Sequence, residues 1–120
     1  MPRALIHTML RILDEQRSLD FYRALGFEET SRKRVGGDTA TVIFLALPGD
    51  GERLELTLND GRTEPYEIGE AYGHIALSVD DMQAELDDLA AKGIEPEKPP
   101  DASRPGGSTI CFIRDPDGYR

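Results

Sequence analysis

The 120-residue sequence contains no tryptophan, one cysteine and two histidines, and only 7% of its residues are aromatic. Each shortage excludes something. A lone thiol, Cys111, cannot close an internal disulfide, and its neighbours Ile110 and Phe112 favour a buried structural thiol over a nucleophile. No apolar run approaches the ~20 residues that a membrane-spanning helix needs. The first residues carry no apolar core ahead of a cleavage site. Basic residues are scarce as well: 14 Lys and Arg stand against 23 Asp and Glu, a formal net charge of −9. Such a field repels phosphate backbones and argues against a nucleic-acid partner. The glycine pairs lack the strand–GxGxxG–helix setting of a nucleotide site. Together these absences imply a soluble protein in a reducing, cytoplasmic setting.

What is present is an internal repeat. Sliding the chain by 67 residues, without a gap, superposes residues 1–53 on 68–120 with 14 identities. Among them are Ala4 on Ala71, His7 on His74, Leu10 on Leu77, Asp14 on Asp81, Gln16 on Gln83, Leu19 on Leu86, Gly26 on Gly93 and Asp50-Gly51 on Asp117-Gly118. Two copies signal a duplicated module, whereas a solenoid needs three or more. Each copy alone is too small to hold a stable core, so the copies are expected to pack together within the chain or across a dimer.

Each copy reads as β-α-β-β-β. In the first, Arg3–Ile12 is a strand, Asp14 caps a helix carrying Leu19, Tyr22 and Leu25, and Gly26 stops it. Strands follow at 27–34, 39–47 and 53–58, with turns at Gly36-Gly37-Asp38 and Pro48–Gly51. Residues 59–73 read as a linker. In the second copy His74–Val79 is a strand, Asp81 caps a helix with Met82, Leu86 and Leu89 on one face, and Gly93 stops it. Ile94 starts a weak strand, 96–107 is a Pro- and Gly-rich loop, Ser108–Arg114 is a strand, 115–118 a turn, and Tyr119-Arg120 would open a last strand. The expected fold class is α+β: one domain of two modules, 1–58 and 74–120.

The only two histidines, His7 and His74, sit at equivalent points of the two opening strands. Glu55 lies in the closing strand of the first module, where a neighbouring strand can bring imidazole and carboxylate to one face. The repeat places its counterpart at position 122, two past Arg120. Two histidines and two carboxylates would make a mixed N/O site suited to zinc, nickel, cobalt or iron(II). The plainer readings are a satisfied strand histidine and a Glu55 that points to solvent between Leu54 and Leu56.

The segments His7-Thr8-Met9-Leu10-Arg11, Arg17–Tyr22, Leu25-Gly26, Leu54–Asn59, Ala71–Ala76 and Asp115–Tyr119 resemble, in order, those of glyoxalase I in the vicinal oxygen chelate superfamily. The helix and turn signatures are shared across that superfamily; the His-Thr-Met-Leu-Arg, Glu-Leu-Thr-x-Asn and Ala-Tyr-Gly-His strings are more specific. The resemblance implies paired βαβββ modules, curved mixed sheets around a metal, and a homodimer whose sites draw on both subunits. It implies His7, Glu55 and His74 as metal ligands, with Glu55 also placed among the catalytic groups. Arg11 and Asn59 match positions that hold the γ-glutamyl end of glutathione. One divalent ion per site is implied, nickel or cobalt before zinc. The implied reaction, a lyase-class isomerisation serving methylglyoxal detoxification, turns the hemithioacetal of methylglyoxal and glutathione into lactoylglutathione.

The carboxylate at 122 takes the proton-transfer role in that family. Arg104, before Pro105-Gly106-Gly107, stands near a basic position of the family's glycine loop. Taken without the resemblance, Arg11 reads as a surface arginine at a strand end. Two rivals share the superfamily: a metal-dependent thiol transferase acting on an antibiotic, and a metal-free protein that binds a drug.

Overall fold

Asp14 takes up the extended backbone of an N-cap, and its Oδ1 accepts the amide of Arg17 at 3.0 Å. This starts α1 (Glu15–Ala24), following β1 (Thr8–Ile12). At the other end Gly26, at φ +100°, donates to Arg23 O while Phe27 donates to Tyr22 O, the paired bonds of a Schellman stop. A computed structural model describes residues 2–103, 106 and 109–120. It divides into two compact units, Met1–Glu67 and Ile68–Arg120. The expected linker is therefore shared between them at Glu67/Ile68.

In the first unit β2 (Glu28–Val35), β3 (Ala40–Ala46) and β4 (Leu54–Asn59) complete the β-α-β-β-β order. The sheet runs β1-β4-β3-β2, with β1 parallel to β4 and the other pairs antiparallel. The first strand is shorter than expected, and His7 stands just ahead of it. Gly36, Gly37 and Asp38 all have φ near +65°, which closes the β2–β3 turn as the Gly-Gly-Asp string predicts. Leu10, Ile12, Ile43, Leu45, Leu54 and Leu56 are buried on one face. A register shift between Glu29 and Ser31 brings Glu29 onto the same face as Arg32. Arg32 then grips Glu29 through two 2.7 Å bonds and Glu15 of α1 at 2.8 Å. The helix therefore covers that face, with Leu19 and Tyr22 buried. The opposite face, which carries odd-numbered residues of β1 and β4, is left for chemistry.

In the second unit α2 (Met82–Ala91) repeats α1 bond for bond. Asp81 caps through Ala84 N as Asp14 does through Arg17 N, and Gln83–Asp87 copies Gln16–Asp20. Ile94 N to Leu89 O copies Phe27 N to Tyr22 O. The expected tandem β-α-β-β-β is not reproduced, however. Residues 74–79, 94 and 119–120 form no strand, and the 108–114 stretch contributes one isolated bridge, Asp101 to Ile110. Ser108 and the Arg104 loop position lie outside the described residues. The reason is pairing. A strand persists only where a neighbour takes its backbone groups. Thr8 N donates to Arg53 O at the mouth of the β1–β4 ladder, and Ile75 N donates to Arg120 O in the same way. Ile75, Leu77 and Val79 are 36–41% exposed.

Candidate functional site

The open face of the first sheet is set by register. Met9 lies opposite Glu55 and Arg11 opposite Thr57, so these side chains share a face. Phe44 and Val42 of β3 lie opposite Glu55 and Thr57 on that face. His7, two residues before Met9, joins them. Its Nε2 is 3.2 Å from Glu55 Oε1. The other carboxylate oxygen, Oε2, accepts the Thr57 hydroxyl at 3.0 Å. Glu55 is thus a half-buried carboxylate (14% exposed) with the His7 imidazole beside one oxygen and the Thr57 hydroxyl donating to the other. The His7 ring meets Phe44 edge-on at 5.5 Å, which limits its rotation. His7, just ahead of β1, thus meets Glu55 of the neighbouring strand, and Glu55 does not point to open solvent.

Asn59, two residues after Thr57, ends β4 on the same face. Its Nδ2 donates to the Tyr66 hydroxyl at 3.0 Å. The Arg62 guanidinium lies 4.2 Å from the centre of the Tyr66 ring and also donates to Glu64 O and Pro65 O. Arg11, opposite Thr57, lies on the same face.

His74 belongs to the second unit and is exposed. Its ring meets Phe112 edge-on at 5.1 Å, as His7 meets Phe44. Arg120 lies over the Phe112 ring at 5.0 Å, and Glu97 receives both Arg114 and Arg120. Tyr72, from the Ala-Tyr-Gly-His string, packs on Tyr119 at 5.3 Å and donates its hydroxyl to Arg120 O. Burial pushes the Tyr72 phenol above its ordinary value, and the Asp115 charge adds to the effect. Among the described residues, no group of three His, Cys, Asp or Glu side chains is gathered as a metal site. The structure brings His7 and Glu55 together within the first unit, and His74 belongs to the second.

Sequence reasoning missed Thr57, Tyr66, Phe44, Phe112 and Glu97. Thr57 carried a signal, since alternation puts it beside Glu55 on one face. Tyr66 lay in the expected linker and carried none.

The first unit is thus a β-α-β-β-β sheet with a histidine just ahead of β1 beside a carboxylate of β4. A profile of the Glyoxalase/Bleomycin resistance protein/Dioxygenase superfamily matches residues 4–120, and the chain belongs to that superfamily. Curated proteins named lactoylglutathione lyase are among its relatives. Those of Neisseria meningitidis serogroup A and Shigella flexneri are 38% and 37% identical over 119 residues, covering 97% of this chain and 86% and 87% of theirs. Among solved structures, the trypanothione-dependent glyoxalase I of Leishmania major matches at TM-score 0.79 and 36% identity, over 98% of this chain and 83% of that one. Glyoxalase I of Zea mays matches at TM-score 0.84 and 29% identity, over 96% of this chain. This chain spans 42% of the maize chain.

Proposed function

We propose that the chain is a lactoylglutathione lyase, isomerising the hemithioacetal of methylglyoxal and glutathione to S-lactoylglutathione. The observation that carries this reading is the Glu55 carboxylate, half-buried and held between His7 Nε2 and the Thr57 hydroxyl. Relatives of that name, matched over most of both chains, supply the substrate class.

The reaction moves a proton from C1 to the neighbouring C2, through an enediolate. A positioned carboxylate takes the C1 proton and returns one to C2, while the C1 hydroxyl proton passes to the C2 oxygen, so the substrate is isomerised with no net change in atoms or electrons. Glu55 and the carboxylate expected at position 122 are the candidates for that work. His7 Nε2 and Glu55 Oε1 are a nitrogen and an oxygen donor on one face, which suits a divalent ion, nickel or cobalt before zinc. His7 and Glu55 would hold it, with His74 as a further ligand and the carboxylate expected at position 122 as the last. When bound, such an ion stabilises negative charge on two adjacent substrate oxygens. Arg11 and Asn59 would receive the γ-glutamyl end of glutathione. Arg11 offers a fork of donors for a carboxylate, which the acidic chain as a whole would repel. We further propose a homodimer working in the cytoplasm, where glutathione keeps thiols reduced.

The test is direct. Purified protein given nickel should convert methylglyoxal and glutathione to the thioester, and should hold about one divalent ion per site. Glu55→Gln should lower turnover by about 10²–10⁴-fold, with a smaller effect on substrate affinity. Thioester formation that is indifferent to Glu55→Gln would remove Glu55 from the reaction. Failure to bind any divalent ion would favour a metal-free binding protein.

A further inference from the structure

Arg32, Lys33 and Arg34 follow one another on β2, an edge strand, and alternation along the strand sends them to different faces. The two arginines are committed to carboxylates. Arg32 holds Glu15 and Glu29, and Arg34 holds Asp38 and Asp60. Lys33 turns the other way, onto the open face. One cross-strand row of that face runs Arg11, Thr57, Val42, Lys33, and the next runs Met9, Glu55, Phe44, Ser31. Among the described residues Lys33 is in no ion pair. Its Nζ lies instead 5.9 Å from the centre of the Phe44 ring, the ring that His7 meets edge-on. The ammonium therefore stands one ring away from the His7–Glu55 pair. Neighbouring strands are about 4.8 Å apart, so three spacings, about 14 Å, separate Arg11 at one edge from Lys33 at the other. Glu55 and Phe44 lie on the strands between them. In a chain of net charge −9, a cation with no carboxylate partner locally reverses the field.

We infer that Lys33 sets specificity for the aldehyde half of the substrate, favouring α-oxoaldehydes whose carbon chain ends in a carboxylate. The inference rests on the reading given above, in which Arg11 receives the γ-glutamyl end of the thiol and the reacting carbons lie beside His7 and Glu55. With the thiol anchored at the β1 edge, the carbon chain beyond C2 leads away from it, across Phe44 and toward β2. A methyl group stops short of Lys33. A chain extended by two methylenes and a carboxylate carries its charge toward that edge, where the flexible four-carbon stem of Lys33 brings the ammonium to meet it. The chemistry is the same isomerisation. C1 loses a proton, C2 gains one, the C1 hydroxyl proton moves to the C2 oxygen, and the distal carboxylate takes no part.

The experiment compares two S-substituted glutathiones of one shape, S-carboxybutylglutathione and its neutral terminal amide, by calorimetric titration of the purified protein given nickel. The acid should bind about threefold to fivefold tighter than the amide, the size of an ion pair at a partly exposed edge, and the preference should shrink with added salt. Lys33→Met keeps the apolar stem and should abolish the preference. Lys33→Arg should retain it, and Lys33→Glu should reverse it. Turnover gives a second readout. The ratio of kcat/KM for the glutathione adduct of a five-carbon α-oxoaldehyde ending in a carboxylate to that for the methylglyoxal adduct should fall by the same factor in Lys33→Met. Equal affinity of the unmutated protein for acid and amide overturns the inference, and so does a preference that survives Lys33→Met. A loss in Lys33→Met that falls equally on acid and amide would set the ammonium against the thiol half, which also overturns it. If neither compound binds and methylglyoxal is not turned over, the reading beneath fails and the inference falls with it.

Discussion

Glu55 is useful only if its two oxygens are held, and Thr57 holds one of them. The hydroxyl is part of a residue only 8% exposed, so its bond to Oε2 is shielded from competing water. Thr57→Val keeps the shape and removes the donor. If Glu55 holds a metal, such a supporting partner is worth about 10–100-fold in metal affinity. Thr57→Val should show that loss in a metal titration, Thr57→Ser should recover most of it, and thermal stability should change little. Equal metal affinity in all three proteins would show that Thr57 does not support the site. A different carboxylate governs pH behaviour. The Arg32 hydrogen bond holds Glu29 below its ordinary value of 4.5, and Arg34 holds Asp60 below 3.8. Both groups therefore favour the folded state while ionised. That contribution is complete above their ordinary values and is lost as pH falls through the lowered ones. Glu29→Gln should flatten the acid limb of a stability–pH curve below about pH 4.5, and by less than about 1 kcal/mol, because the pair is at the surface. At this scale the site was half legible. Strand spacing allowed His7 and Glu55 to meet, and they do so with His7 just ahead of β1. Tyr66 was not legible, because its partner lies across a turn that composition marks only as polar.

Among the elements, the helices were the most legible and the second-half strands the least. A helix satisfies its backbone within itself, so Asp14 with Gly26, and Asp81 with Gly93, suffice to fix its ends. The same local chemistry explains why α1 and α2 agree bond for bond after 67 residues of separation. A strand depends on a neighbour that its own residues do not name. Ile75, Leu77 and Val79 alternate as well as Leu54, Leu56 and Leu58 do, yet only the latter have partners on both sides. Asp14→Ala and Asp81→Ala should separate the two helices' contributions. Each removes one cap, worth about 1 kcal/mol. α1 buries Ser18, Leu19 and Tyr22, whereas α2 buries Leu89 alone. Loss of the first cap should therefore lower the denaturant midpoint of the main transition, while loss of the second should mainly raise hydrogen exchange in residues 82–91. A main-transition shift as large for Asp81→Ala would show that the second unit unfolds together with the first.

For the whole molecule, the proposed site turns on how its parts are shared between the units. Among the described residues the buried hydrophobic core is divided unevenly, with Leu89 alone in the second unit. The two proposed imidazole ligands are also divided, His7 in one unit and His74 in the other. If the protein is a two-fold dimer, each site can be completed either within one chain or by the first unit of one chain and the second unit of its partner. Mixing two crippled proteins distinguishes these cases. His7→Ala and His74→Ala should each be nearly inactive alone. Co-refolded in equal amounts, about half of the dimers are mixed. With shared sites, a mixed dimer has one site that lost both histidines and one that lost neither. About a quarter of the unmutated activity and metal occupancy should then return, since half the dimers each regain one site of two. With sites built inside single chains, every site still lacks one histidine and nothing returns. Sedimentation of the unmutated protein at micromolar concentration gives the companion measurement: a monomer there, together with full activity, would eliminate the shared site before any mixing is done.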